Sequence, residues 1–201
     1  MPNPEPVTFL AGCAIERDYI YVAAKPDVFD SEEDFTRLYF YDAQNGAAPW
    51  VHHDLPDWAV VSTCVVSQTS DAPRKYAALS KHGEIEFTWP GGSAVERIEG
   101  AGLKRTSPPI YGYVSAIREI GGALYVCGSG GQVYRRENDA WRHIAEGLKT
   151  PAAPPQPGDN AAPKDFGAHD FADIDGYSDA DLYVVGGSGE IYHFNGTAWE
   201  R

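Results

Sequence analysis

Two stretches of this chain repeat each other. Ala123-Leu-Tyr-Val-Cys-Gly-Ser-Gly-Gly-Gln-Val-Tyr-Arg135 is matched by Asp181-Leu-Tyr-Val-Val-Gly-Gly-Ser-Gly-Glu-Ile-Tyr-His193, and each is followed by a turn and a tryptophan, Trp141 and Trp199. A repeat at this period restricts a chain to stacked or radially arranged units, because one unit cannot bury its apolar face alone. Aligning the glycine that opens the third strand of each unit places Gly83, Gly131 and Gly189 at intervals of 48 and 58 residues. The longer interval contains a Pro- and Ala-rich insertion, Thr150–Gly158. A looser first copy reads Tyr19-Ile-Tyr-Val-Ala-Ala24, then Arg37-Leu-Tyr-Phe-Tyr41, then Trp50. The chain therefore holds four units.

Each unit reads as four short strands rich in β-branched and aromatic residues and separated by turn residues, the pattern of antiparallel all-β structure. In the third unit the strands are expected at Tyr113–Glu119, Ala123–Gly128, Gln132–Arg136 and Ala140–Ala145. The last two strands of successive units are separated by Asn45-Gly46, Pro90-Gly91-Gly92, Asn138-Asp139 and Asn195-Gly196. Such pairs favour two-residue type I′ hairpins, whose central residues both need positive φ. No long window carries helical periodicity. Four-stranded units joined by hairpins describe β-propeller blades, expected at about 7–55, 58–99, 111–146 and 168–201, with an inter-blade loop at 147–167.

The run from Leu182 through Gly186, Gly189 and Tyr192 to Trp199 resembles the blade repeats of bacterial propellers of the BNR and photosystem-assembly-factor class, in the WD40/YVTN-like superfamily. The resemblance implies an all-β propeller with about four blades in this chain. It covers 113–145 and 169–201 most clearly. The second unit departs from it, with Trp89 before the turn and Ser93 where the later tryptophan would stand. No copy carries a full Ser-x-Asp-x-Gly-x-x-Trp box, which argues against a sialidase-like assignment. Since Arg201 falls just inside the last expected strand, three arrangements stay open: a closed four-blade ring, half of a dimeric ring, or the N-terminal part of a longer propeller. A truncated or split ring is the favoured one. Self-association or a second propeller fragment would then cover the open edge.

The formal net charge is −13. Nucleic-acid binders need a positive footprint, so the charge argues against that class and no nucleic-acid partner is expected. Residues 1–60 carry eleven acids against three bases and residues 169–201 seven against one, while 61–168 are balanced. Acidic ends suit a basic partner, because complementary fields speed association. No apolar run approaches the length of a membrane-spanning helix, and the N-terminal residues lack the pattern of a signal peptide. Cys13, Cys64 and Cys127 have no metal-like spacing and sit in apolar strand-like runs. They read as reduced core residues of a cytoplasmic protein.

Long loops on a rigid scaffold commonly carry function. Three are expected, at Lys25–Asp34, Ile98–Pro109 and Glu146–Ala168. The first supplies the candidate partner-binding carboxylates Asp27, Asp30, Glu32, Glu33 and Asp34. Tyr111 and Tyr113 are candidate aromatic anchors. The acidic run lacks the alternating ligands and glycine of an EF-hand loop. His169, Asp173 and Asp175 would share a strand face by alternation, which makes them weak metal or proton-transfer candidates. Asp175–Asp181 also reads as a turn, a bland alternative. Of His52 and His53 only one can face inward. Tyr39, Phe40, Tyr41, Tyr125, Tyr134, Tyr183 and Tyr192 are expected to pack between blades. Without a nucleophile elbow, a Cys-x-x-Cys pair or a phosphate-cradling glycine motif, neither catalytic residues nor a cofactor are expected.

The leading expectation is a non-enzymatic module that binds a protein. Its sharper form is an acidic cytoplasmic inhibitor, such as an immunity protein of a bacterial competition system, that neutralises a basic toxin. The alternatives are a glycan-binding or glycan-hydrolysing propeller using Asp173 and Asp175, and a fragment inactive without further blades.

Overall fold

The computed structural model describes residues 5–103, 109–151 and 169–201. The inter-blade insertion expected at 147–167 lies mostly outside them, as does part of the Ile98–Pro109 loop. The fold is all-β. Strands β1 (Val7–Glu16), β2 (Tyr19–Pro26), β3 (Phe35–Asp42) and β4 (Trp50–Pro56) form one sheet, and β5 (Val60–Val66), β6 (Lys75–Ser80), β7 (Glu84–Trp89) and β8 (Gly92–Arg97) a second. The third comprises β9 (Val114–Ile120), β10 (Ala123–Gly128), β11 (Gln132–Glu137) and β12 (Ala140–His143). The fourth comprises β13 (Phe171–Ser178), β14 (Asp181–Gly186), β15 (Ile191–Phe194) and β16 (Trp199–Glu200). In every sheet the spatial order follows the chain order. These are four-stranded antiparallel meanders, the blade unit of a β-propeller. The blades group into two compact units, residues 1–81 with 85–96 and residues 82–84 with 97–201.

Strand alternation gives each blade two faces with different neighbours. In the second unit, Tyr125 and Cys127 of β10 and Val133 of β11 pack in one cluster with Leu182 and Val184 of β14 and Tyr192 of β15. Trp199 reaches back across the same boundary, its Nε1 donating to the Ile144 carbonyl at 3.1 Å. In the first unit, Tyr21, Ala23 and Leu38 of the first blade meet Tyr76 and Ala78 of the second. Phe40 bridges them, with its ring 4.6 Å from that of Tyr21 and 5.0 Å from that of Tyr76. Full burial of each large side chain is worth about 1.5–3 kcal/mol, so these boundaries supply most of the cohesion. His53 faces the second blade and lies 2.7 Å from the buried Glu86, whereas His52 is exposed on the opposite face beside Tyr39.

The aromatic residues divide by this alternation. Phe40, Tyr125 and Tyr192 join the inter-blade clusters, and buried Tyr134 donates its hydroxyl to Gln132. Tyr39 and Tyr41, contrary to expectation, flank Phe40 and so must point away from its face; Tyr41 packs on Trp50 at 4.6 Å. Tyr183 is exposed on the outer face of the fourth blade, its ring stacked on His193. None of the three cysteines is in a disulfide; Cys64 and Cys127 are buried and Cys13 half-buried. Burial pushes the Cys127 thiol well up from its ordinary value.

The turn chemistry is legible in part. Asn138 and Asp139 both take positive φ, as a type I′ hairpin requires. Asn45-Gly46 does not form one. The β3–β4 connection is longer, closed by Asp42 N–H donating to the Pro49 carbonyl, so Asn45 sits inside a wider loop. Gly83, Gly131 and Gly189 share positive φ values of 86°, 71° and 74°. At Gly131 an added Cβ would stand 1.9 Å from the Leu148 carbonyl oxygen, whereas at Gly189 it would meet nothing within 4 Å.

His143 reports the packing of the third blade. Its Nε2 faces the Val133 N–H at 3.3 Å and its Nδ1 the Ala145 N–H at 3.2 Å. A neutral imidazole has one acceptor nitrogen, so one of these two N–H groups can donate to the ring at a time, and protonation would remove that acceptor. Burial first, and then the Lys149 charge, lower its pKa to about 4, outweighing the nearby Glu146 carboxylate.

Two stability tests follow from these contacts. Gly189→Ala should cost about 1 kcal/mol for the left-handed backbone alone, and Gly131→Ala about 2–4 kcal/mol because a backbone clash is added; denaturant melts of both variants compare the two. For His143 the unfolded imidazole binds its proton near pH 6.5 and the folded one only near about 4. The unfolded state therefore holds more protons in that window, and stability falls as pH drops through it. Wild type should lose roughly 1–3 kcal/mol more than His143→Gln between pH 7 and 4, measured by denaturant melts at each pH.

Candidate partner-binding site

The β2–β3 connection, residues 27–34, is an acidic loop built over one lysine. Lys25 at the end of β2 directs its ammonium into the loop, donating to the carbonyls of Asp30 and Glu33 and, at 3.4 Å, of Ser31. Phe29 and Phe35 stack at 3.9 Å and close the loop neck. Asp27 Oδ1 accepts from the Thr8 hydroxyl at 3.0 Å, and the Asp27 N–H donates to the Pro6 carbonyl, which ties the loop to β1 and the residues before it. Asp30 Oδ1 accepts from the Ser31 hydroxyl and the Glu32 N–H, and these bonds hold its carboxyl below the usual range. The loop is thus a shaped scaffold, with Asp27, Asp30, Glu32 and Glu33 exposed.

Asp34 differs from the other four. It is half-buried and paired with Lys81 at 2.6 Å, so its charge is largely spent inside the first unit. Tyr111 and Tyr113 belong to the second unit, apart in the chain from the acidic loop. Both are half-buried: Lys149 Nζ lies 4.7 Å from the Tyr111 ring centroid, and the His82 ring meets Tyr113 edge-on at 5.3 Å.

The metal candidates are not brought together. A bulge in β13 between Phe171 and Asp173 shifts the alternation by one residue. His169 Nδ1 lies 3.0 Å from Glu190 Oε1, and its ring stacks near Phe171. Asp173 is paired with Arg118 at 2.9 Å, while the exposed Asp175 accepts from the Gly176 N–H. Among the described residues, no group of three His, Cys, Asp or Glu side chains could hold a metal ion.

A further surface escapes the sequence reading. Phe9, Tyr39, Trp50 and His52 line an open groove of about 430 Å³ on the first blade, with Arg37 at its end. Arg37 is held by a two-point bond to Asp54, at 2.6 and 3.0 Å, and by Glu5 at 2.6 Å. The available signal is the run Val7–Cys13, apolar at almost every position where a strand solvated on one face would alternate.

No family model matches the chain. It is similar to Immune protein Tsi7 of Pseudomonas aeruginosa, 28% identical over 201 residues that cover 95% of this chain. The chain spans 58% of that relative's length. Among solved structures, YCF48 bound to D1 peptide aligns with a TM-score of 0.46 and 15% identity over 98% of this chain and 69% of that one.

Proposed function

We propose that this chain is a non-enzymatic, protein-binding propeller of the immunity type, which neutralises a basic toxin in the cytoplasm through the acidic loop of its first blade. The observation that carries the reading is the loop itself: four exposed carboxylates, Asp27, Asp30, Glu32 and Glu33, on a backbone held from beneath by Lys25. A pre-shaped loop loses little entropy on binding, and an uncompensated acidic surface accelerates encounter with a basic one. The similarity to Immune protein Tsi7 supports the same reading. Among the described residues no helix is long and apolar enough to cross a membrane. Tyr111 and Tyr113 are proposed as apolar contacts offered by the other unit.

The test begins with the basic protein that co-purifies with the tagged chain from its native host. Reversing Glu32 and Glu33 to Lys should slow association about tenfold at low salt and flatten its salt dependence. Asp34→Lys should act mainly on stability, because it breaks the Lys81 pair. Tyr111→Ala and Tyr113→Ala should raise the dissociation rate and leave association unchanged. Unaltered association by the Glu32/Glu33 reversal at low salt would overturn the loop assignment.

A further inference from the structure

The sequence holds two Asn-Gly pairs, Asn45-Gly46 and Asn195-Gly196. Both carry the same local chemistry. Glycine lacks the Cβ that would shield its nitrogen, so that nitrogen can reach the amide carbon of the asparagine side chain before it. Only the pair in the fourth blade sits in a short closed hairpin. There Asn195 Oδ1 accepts from the Thr197 and Ala198 N–H groups, each at 3.0 Å, and Nδ2 donates to Glu200 at 2.9 Å. Gly196 has a φ of 87°, and a Cβ placed on it would meet the Ala180 Cβ at 3.0 Å. Asn195 is thus held at both ends of its amide, on a turn packed against the β13–β14 connection.

Asn45-Gly46 has none of these restraints. Both residues are exposed, in the wide connection between β3 and β4. Two backbone bonds shape the turn: Asn45 N–H donates to the Asp42 carbonyl and Ala48 N–H to the Asn45 carbonyl, each at 3.1 Å. Among the described residues, the Asn45 side chain and the Gly46 N–H have no hydrogen-bond partner. A Cβ placed on Gly46 would meet nothing within 4 Å, and its φ lies outside the left-handed region. Bringing the Gly46 nitrogen onto the Asn45 amide therefore displaces no packed atom and breaks no side-chain bond.

We infer that Asn45 is a site of spontaneous covalent modification, converted in the folded chain to aspartate and isoaspartate, while its hairpin protects Asn195. The Gly46 nitrogen gives its proton to solvent base and bonds to Asn45 Cγ; Nδ2 leaves as ammonia, which closes a five-membered imide. Water then opens the ring. Cleavage between the Gly46 nitrogen and Cγ gives aspartate. Cleavage between that nitrogen and the Asn45 main-chain carbonyl carbon gives isoaspartate, with the backbone rerouted through the side chain. One water is consumed and one ammonia released, with no oxidation or reduction. Either product adds a carboxylate beside Asp42 and Asp18, which Gln44 already links through bonds at 2.9 and 3.0 Å. The acidic character of the first blade therefore grows as the chain ages. The inference is independent of the loop at 27–34 and of any partner that binds it.

The experiment is peptide mapping by mass spectrometry of the chain kept at mildly alkaline pH, native and in denaturing guanidinium, and sampled over days. Native Asn45 should convert within about threefold of its rate in the unfolded chain, because an exposed loop opens at almost no cost. Native Asn195 should convert about tenfold or more slowly than it does unfolded. Gly46→Ala, which the open space accepts, should slow conversion of Asn45 about tenfold and leave both Asn195 and the circular dichroism unchanged. Asn45→Gln, whose ring would need a sixth atom, should remove the acidic variant that ion exchange resolves from aged wild type. Should circular dichroism show that Gly46→Ala disturbs the fold, Asn45→Gln carries the test. Native Asn45 that stays intact while the unfolded chain converts overturns the inference. So does equal protection of the two asparagines, or an acidic variant that survives Asn45→Gln.

Discussion

Everything in this structure depends on the burial of one blade face against the next. A four-stranded meander has no inside of its own. Its strands send alternate side chains to opposite sides, and each side must find cover. Tyr125 and Val133 find it in the fourth blade, and Leu182 and Val184 return the contact. The same arrangement, made from Tyr21, Leu38 and Tyr76, holds the first two blades together. Polar contacts are set into these boundaries as well, among them His53 with Glu86, Asp34 with Lys81, Arg118 with Asp173, and the Trp199 indole with the Ile144 carbonyl. They fix register while apolar burial supplies the cohesion.

With that cohesion in place, the loops are free to carry chemistry. The β2–β3 loop uses Lys25 and the Phe29–Phe35 stack to hold a shape that leaves four carboxylates in water. A lysine placed beneath such a loop meets backbone carbonyls and so leaves the acidic side chains to face outward. Asp34 shows the contrast: its salt bridge to Lys81 makes it part of the scaffold. The loop thus combines a structural end and a presenting tip within eight residues, 27–34.

Much of the fold was legible because the repeat displays it several times. The strands of the third unit fall within two residues of expectation, and the shared positive φ of Gly83, Gly131 and Gly189 explains why the alignment on glycine works. Legibility ends where one unit differs from its copies. The bulge in β13 shifts Asp173 out of step with His169, and bulges leave no reliable mark in a single sequence. Asn45-Gly46 carries the signal of a tight hairpin inside a connection too long to be one. Tyr183 matches Tyr125 in sequence, yet Tyr125 is buried in the cluster between the third and fourth blades while Tyr183 is exposed, a difference the repeat itself does not carry. Composition revealed the charge of the acidic loop. That Asp34 is paired while Glu32 and Glu33 face solvent depends on Lys81, which lies far along the chain.

The central claim is that a basic partner docks on the loop at residues 27–34. Amide hydrogen exchange of the chain, alone and saturated with the basic protein it captures, addresses it most directly. The account predicts slowed exchange concentrated in peptides spanning Asp27–Asp34, with the buried strands β10 and β14 unchanged. Protection confined to other segments, with this loop exchanging as fast in the complex as in the free chain, would contradict it.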